Sequence, residues 1–377
     1  MKTKKVLIII VLVILVIPLA GYLFWQIKKG DPVDIFVVNK SLTGYNGSEN
    51  QTFNYVLNRE KIYTAANRAY DLRVDHYGLV WDNGDYRVKF PQLKDIQRTV
   101  ERSDLVYYAD VSGIRKSDLS DLKAGEIDKL EYGGLNNTDY TFIREFIKTK
   151  KPMIIESSFF GPADPLVRYN LEQMMDVYYV GWVGKYMKDL ADDADLFAGL
   201  HWKELYKEYT GNVWDASGPG FVMINPEARR VLVLSEGVHV QTGQGLIVTT
   251  DQAMETYGLP SLTNFEGWFT VLHPGRNAVL SEFRLDPTDA GMQLLNDFGI
   301  PETFPALIHV DENVWMMAGD FGKCKTNVLF PKVIGVGTLY ERIMGSGKGA
   351  SSFFYSYYQP FMTHMIDEAR EVREQNN

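Results

Sequence analysis

The sequence predicts an α/β protein: an N-terminal transmembrane helix, then a parallel-sheet body, then an antiparallel β-rich C-terminal part. Three observations carry this. Residues 6–25 read VLIIIVLVILVIPLAGYLFW, twenty positions without a charge. Short β-rich runs alternate with amphipathic helical spacing as far as residue 178. Beyond residue 220 the apolar runs shorten and are split by turn residues. The predicted divisions are an anchor with its flanks at 1–30, an α/β domain at 31–215, a β-rich extension at 216–330, and a glycine-rich loop with a C-terminal helix at 331–377.

Twenty apolar residues at 1.5 Å each match a hydrocarbon core of about 30 Å. Lys2, Lys4 and Lys5 precede the run, and Lys28 and Lys29 follow it. The short N-terminal side and long remainder predict a retained signal anchor with the C-terminal domain extracytoplasmic, at the cell membrane. A cleaved signal peptide is the alternative, but its apolar region is shorter, and the best site, Pro18-Leu19-Ala20, has Pro at −3. No Cys follows the run, which excludes a lipoprotein. Removing those five lysines from a net charge of −9 leaves −14 on residues 31–377. Such a surface disfavours nucleic acid, whose phosphates need Lys and Arg. The single cysteine, Cys324, excludes an internal disulfide. Asn46-Gly-Ser and Asn50-Gln-Thr mark a polar loop.

In the first half, Val33–Val38 reads as a buried strand, 50–61 as a helix, Leu93–Arg102 as a helix and Asp104–Ala109 as a strand. Residues 118–128 read as a crossover, 129–132 as a short strand, 139–148 as a helix, Pro152–Glu156 as a strand and 165–178 as a helix. Strands spaced by such helices form parallel βαβ units, whose strand C-termini line one edge. In the second half, 220–224, 230–234 and 246–250 read as an antiparallel meander. Strands follow at 268–273, 278–283, 307–310 and 315–318, with a helix at 289–298. Gly335–Gly349 lacks the Ser or Thr that a phosphate loop needs after Lys348, and reads as a mobile surface segment. Ser351–Pro360 is densely aromatic, suited to packing the terminal segment onto the body or to forming a partner-docking surface, and a charged amphipathic helix begins at Phe361.

Glu131-Tyr-Gly-Gly-Leu135, a helix, and then Lys151-Pro-Met-Ile-Ile-Glu-Ser-Ser158 together resemble the class I glutamine amidotransferase-like (flavodoxin-like) fold. The resemblance covers about residues 31–180. It implies that Gly133 and Gly134 stand at the oxyanion position and that Ser157 stands where the family carries its nucleophilic Cys. The chain departs from the family: the nucleophile is Ser, flanking glycines are missing, and no His-x-Glu pair follows. The Cys-His-Glu triad is therefore not preserved. The whole pattern is also similar to bacterial envelope proteins with one anchor, an amidotransferase-like body and β-rich additions, which implies a cell-envelope or polysaccharide role.

Read from the residues themselves, Asp110 and Glu156 end neighbouring strands, and paired carboxylates suit glycoside chemistry or salt-bridged capping. Trp182, Lys185 and Tyr186, in the loop Gly181-Trp-Val-Gly-Lys-Tyr186, suit a sugar, whose C–H faces stack on rings while its hydroxyls bond polar groups. Asp320, in a Gly-flanked turn, is a further ligand contact. No metal motif occurs, and no cofactor is expected. The expected function is a non-catalytic glycan-binding or scaffold component, with glycan or envelope-complex partners. The alternative is a glycan or ester hydrolase using Glu156 and Asp110, or Ser157 with a distant His.

Overall fold

The run Ile35–Asn39 is buried along its whole length, and such a strand needs neighbours on both edges and cover on both faces. In the computed structural model, which describes residues 2–41, 51–82, 85–119, 129–192, 201–241, 245–323, 330–347 and 350–376, it lies inside a ten-stranded sheet. The spatial order is Leu262–Phe265, Gly245–Thr249, Ala278–Arg284, Thr303–Asp311, Val314–Met317, Met153–Ile155, Leu105–Asp110, Ile35–Asn39, Tyr77–Asp82 and Asp85–Lys89. The pairings from Val314–Met317 through to Tyr77–Asp82 are parallel. All others are antiparallel.

The expectation of a parallel body with a separate antiparallel part is corrected by this order. One mixed sheet takes strands from both halves of the chain. The physical reason is Val314–Met317, whose four residues are all buried. It runs parallel to Met153–Ile155 on one edge and antiparallel to Thr303–Asp311 on the other.

A second, antiparallel sheet has the order Arg230–Ser235, Gly220–Asn225, Tyr178–Met187, Phe269–His273. Two local readings change with it. Gly245–Thr249 does not continue the meander but joins the main sheet. Gly181–Tyr186 is not a loop but strand, with a register shift between Tyr179 and Val183 that the positive φ of Gly181 accommodates. Leu130–Tyr132 also leaves the main sheet, pairing with Ile114–Arg115. The two sheets meet where the Thr270 N–H donates to the Ala318 carbonyl (2.7 Å) and the Asp320 N–H to that of Trp268 (2.9 Å). Phe269 packs there on Phe283 and Phe304, with ring centres 5.0 and 5.3 Å apart.

The aromatic run near the C-terminus is core. Phe353, Phe354, Tyr357 and Tyr358 are buried, and one π-helical turn, Phe354–Tyr358, carries three of them inward. Gln359–Asn376 follows as a helix. The glycine-rich stretch expected to be a mobile segment contains the helix Val336–Gly345. Glu341 ties it to the body, accepting from the Tyr55 hydroxyl (2.7 Å) and the Arg59 guanidinium (2.9 Å).

The single-pass anchor is corrected as well. Residues Lys2–Ile27 are helical, but among the described residues no helix is long and apolar enough to cross a membrane. The end of Lys2–Ile27 belongs to the folded body. Trp25 is buried and donates from Nε1 to the Asn58 carbonyl (3.0 Å). The Lys61 ammonium binds the carbonyls of Trp25 (2.7 Å), Gln26 (2.9 Å) and Lys28. A Cβ at Gly21 would stand 2.4 Å from the Ile334 carbonyl oxygen. Gly21 and Trp25 are buried at this end, whereas Leu19, Leu23, Phe24 and Ile27 are exposed, and membrane localisation through a single span loses its support. Asn46, Asn50, Asp193, Asp195, Cys324, Lys348 and most of 118–128 lie outside the described residues.

The rim of the parallel strands is held by a buried ion pair. Lys40 Nζ lies 2.7 Å from Asp139 Oδ2 and donates to the Gly134 carbonyl (2.8 Å). Both side chains are at most 2% exposed. Asp139 also accepts the Asn136 N–H (2.8 Å) in a capping box that starts the helix Asn137–Ile147. Removing one buried partner strands the other charge, at a cost of about 3–5 kcal/mol. Asp139→Leu should therefore lower unfolding stability by that amount in urea titrations, and adding Lys40→Met should restore a large part of it.

Candidate functional site

The strands Leu105–Asp110, Met153–Ile155 and Val314–Met317 run the same way, so their C-termini share one rim. Asp110 ends the first, Glu156 follows the second, and Ala318-Gly319-Asp320 follows the third. A short turn, Phe321–Lys323, then folds Lys323 back over the rim. The structure thus brings together Asp110, Glu156, Ser157 and Asp320, around a lysine that sequence reasoning missed.

Asp110 is 2% exposed. Its Oδ1 accepts from the Ser112 N–H (2.8 Å) and hydroxyl (2.6 Å), and Oδ2 pairs with the Lys323 ammonium. Burial acts to raise its pKa, but Lys323 and the Ser112 donors outweigh burial and hold the carboxyl below its ordinary value. Burial likewise acts against the Lys323 charge, but Asp110 and Asp320 prevail and push the ammonium up. Lys323 is thus a fixed cation rather than an amine nucleophile.

Glu156 is also 2% exposed. Its Oε1 accepts from the Gly322 N–H (3.0 Å) and the Tyr107 hydroxyl, which in turn lies 3.0 Å from that of Tyr358. Burial pushes this carboxyl well above the usual range; the Tyr107 bond opposes the shift and the charge of Asp320 adds to it. Gly322 is required sterically, because a Cβ there would stand 2.7 Å from both Glu156 Oε1 and the Tyr107 hydroxyl oxygen.

The Ser157 hydroxyl donates to Asp320 Oδ1 (2.6 Å), and its carbonyl accepts from Thr270 (3.2 Å). Burial raises the Asp320 pKa, with Lys323 opposing. An activated serine needs a base, and the six histidines are placed elsewhere. His76 lies between the carbonyls of Leu72 and Leu79, His239 accepts from Ser235 and His273 from Gly275. His309 stacks on Trp315, His364 packs on Tyr257, and His201 precedes the helix Trp202–Thr210.

Gly133 and Gly134 lie on the same rim but serve backbone approach. The Gly134 N–H donates to Val111 (2.8 Å). A Cβ at Gly133 would stand 2.2 Å from Gly113 Cα, and one at Gly134 2.0 Å from the Pro162 carbonyl oxygen. Trp182 is buried, edge-on to Phe298 at 5.7 Å. Lys185, Tyr186 and Asp320 instead line a cleft of about 490 Å³ at the junction of the sheets, with Lys188, Trp268 and Lys323. Behind Lys323 lies a second cavity of about 10 Å³, bounded by Asn39, Thr52, Tyr107, Asp110 and Glu156, enough for about one water molecule. Among the described residues no three His, Cys, Asp or Glu side chains are grouped to hold a metal ion.

Two omissions had a signal in the sequence: Lys323 closes the Gly-flanked turn that contains Asp320, and Trp268 opens an apolar run. Tyr107 and Tyr358 had none, being 251 residues apart.

No family model matches the chain, and no curated protein and no solved structure matches it either.

A carboxyl whose pKa is higher folded than unfolded binds more protons in the folded state, so its contribution to stability falls as pH rises through the shifted range. Glu156 behaves this way. Glu156→Gln should leave the urea midpoint little changed near pH 5 and make the decline as pH rises above that shallower than in the unsubstituted protein.

Proposed function

We propose that this chain binds a saccharide in the 490 Å³ cleft without turning it over. The observation that carries the reading is the make-up of the cleft wall. Half-buried Trp268 and Tyr186 stand beside Lys185, Lys188 and Asp320, giving ring faces for sugar C–H groups and charged groups for hydroxyls. The volume falls in the range of about 300–1,000 Å³ typical of small-molecule sites.

Support for a binding role comes from the acids behind the cleft. Asp110 is committed to Lys323 and Ser112, and Ser157 to Asp320. Neither Asp110 nor Glu156 lines the cleft itself; both face the cavity that has room for about one water. The resemblance to amidotransferase-like proteins without their triad agrees with this reading.

One observation favours a second reading, a glycan hydrolase. Glu156 is pushed up while Asp110 is held down, a split that separates acid from base among paired carboxylates. Under that reading Lys323 would have to leave the rim for substrate to reach them.

Retention on immobilised polysaccharides tests both. Trp268→Ala should weaken retention about tenfold or more, through loss of stacking and apolar area. Glu156→Gln should retain polysaccharide within about twofold, with no reducing ends released by either protein. Release of reducing ends that Glu156→Gln abolishes would establish the hydrolase, and undiminished retention by a folded Trp268→Ala protein would remove the cleft from consideration.

A further inference from the structure

The charges of the cleft carry the reading one step further, to the class of saccharide. Lys188 Nζ lies 3.3 Å from Glu266 Oε2 across the wall. Lys323 is paired with Asp110. The Lys185 ammonium sits 5.7 Å above the centre of the Trp268 ring. The acids are matched in the same way. Asp189 Oδ1 accepts the N–H groups of Gly218 (2.9 Å) and Ala191 (3.0 Å), and Asp320 accepts from Ser157 (2.6 Å). The Tyr186 hydroxyl donates to Glu236 (3.0 Å). The largely buried partnerships of Asp110 with Lys323 and of Asp320 with Ser157 are ones a charged ligand would have to break at the cost of leaving a group unpaired, while the exposed Lys188–Glu266 pair contributes little by itself.

The long-range field points the same way. The chain carries a net charge of −9. That field slows the approach of polyanions. A neutral sugar meets none of these penalties. It needs a ring face and polarised donors and acceptors, and Trp268, Tyr186 and the ion pairs supply them.

We infer that the cleft selects an uncharged saccharide over uronic-acid and amino-sugar polymers, with Trp268 as the stacking face and the Lys188–Glu266 pair as a hydrogen-bonding edge rather than an anion trap. This rests on the saccharide-binding reading. The test is affinity electrophoresis of the full chain through gels containing amylose or galactomannan (neutral), pectate or alginate (uronic), or chitosan (cationic). The expected result is retardation by a neutral polymer that changes less than about twofold between about 50 mM and 500 mM salt, because screening acts on charge–charge attraction. Lys188→Ala, which removes one side of the hydrogen-bonding edge, should weaken it by about threefold to tenfold and to the same extent at both salt concentrations. Stronger retardation by pectate or alginate, lost in high salt and in Lys188→Ala, would overturn the neutral-sugar assignment and leave the saccharide reading standing. Preferential retardation by chitosan would do the same. Absence of retardation by every polymer, with the protein folded by circular dichroism, would overturn the saccharide reading itself.

Discussion

One ammonium group sets the charge balance of the site. Lys323 reaches back from the turn after Val314–Met317 to Asp110 at the end of Leu105–Asp110, and its charge also acts on Glu156 and Asp320. Three carboxyls drawn from three parallel strands cannot share a buried edge as three anions. The arrangement resolves this by fixing one as a partnered anion and driving another toward its protonated form. Gly322 then brings its N–H to Glu156, and Thr52 bonds the Gly322 carbonyl from the opposite side. The turn is thereby locked between the sheet edge and the helix Gln51–Glu60.

The cleft depends on that lock. Its floor comes from the Asp320–Lys323 turn, and its wall from Tyr178–Met187 and the residues leading into Phe269–His273. The second sheet is not a loose appendage, because its edge strand is hydrogen-bonded to the turn itself through Thr270 and Trp268. A ring cluster of Phe265, Phe283, Phe321 and Phe353 lies beneath, with centres 4.9–6.3 Å apart. The cleft therefore sits on packed core and takes its shape from rigid elements.

Much of the first half was legible because its signals are local. The apolar runs at 35–39, 105–110 and 153–155 and the amphipathic spacing at 51–60 and 137–147 report strands and helices directly. Asp110 and Glu156 could be placed on one rim because parallel strands end together. Local patterning could not reveal that Val314–Met317 would join two kinds of pairing, since a short buried run reads alike in either. The glycines of Gly181–Tyr186 suggested a loop, whereas Gly181 allows a bulge, and Gly184 leaves room for Met223 and Phe269. The apolar N-terminal run was read as a membrane span from length and hydropathy alone, a criterion blind to the anchoring of Trp25 and Gly21 in the body. Lys323 and Trp268 gain their meaning only from contacts made across the fold.

The position of Val314–Met317 also dictates the order in which the molecule can be completed. Met153–Ile155 is left with an open edge until a strand some 160 residues later arrives beside it, and Asp110 has no cation until Lys323 follows. Closing so distant a pairing is entropically slow. The rim, the cleft and the Tyr107–Tyr358 contact consequently mature only after nearly the whole chain has left the ribosome, and a C-terminally shortened chain would lack a sheet edge rather than an accessory part.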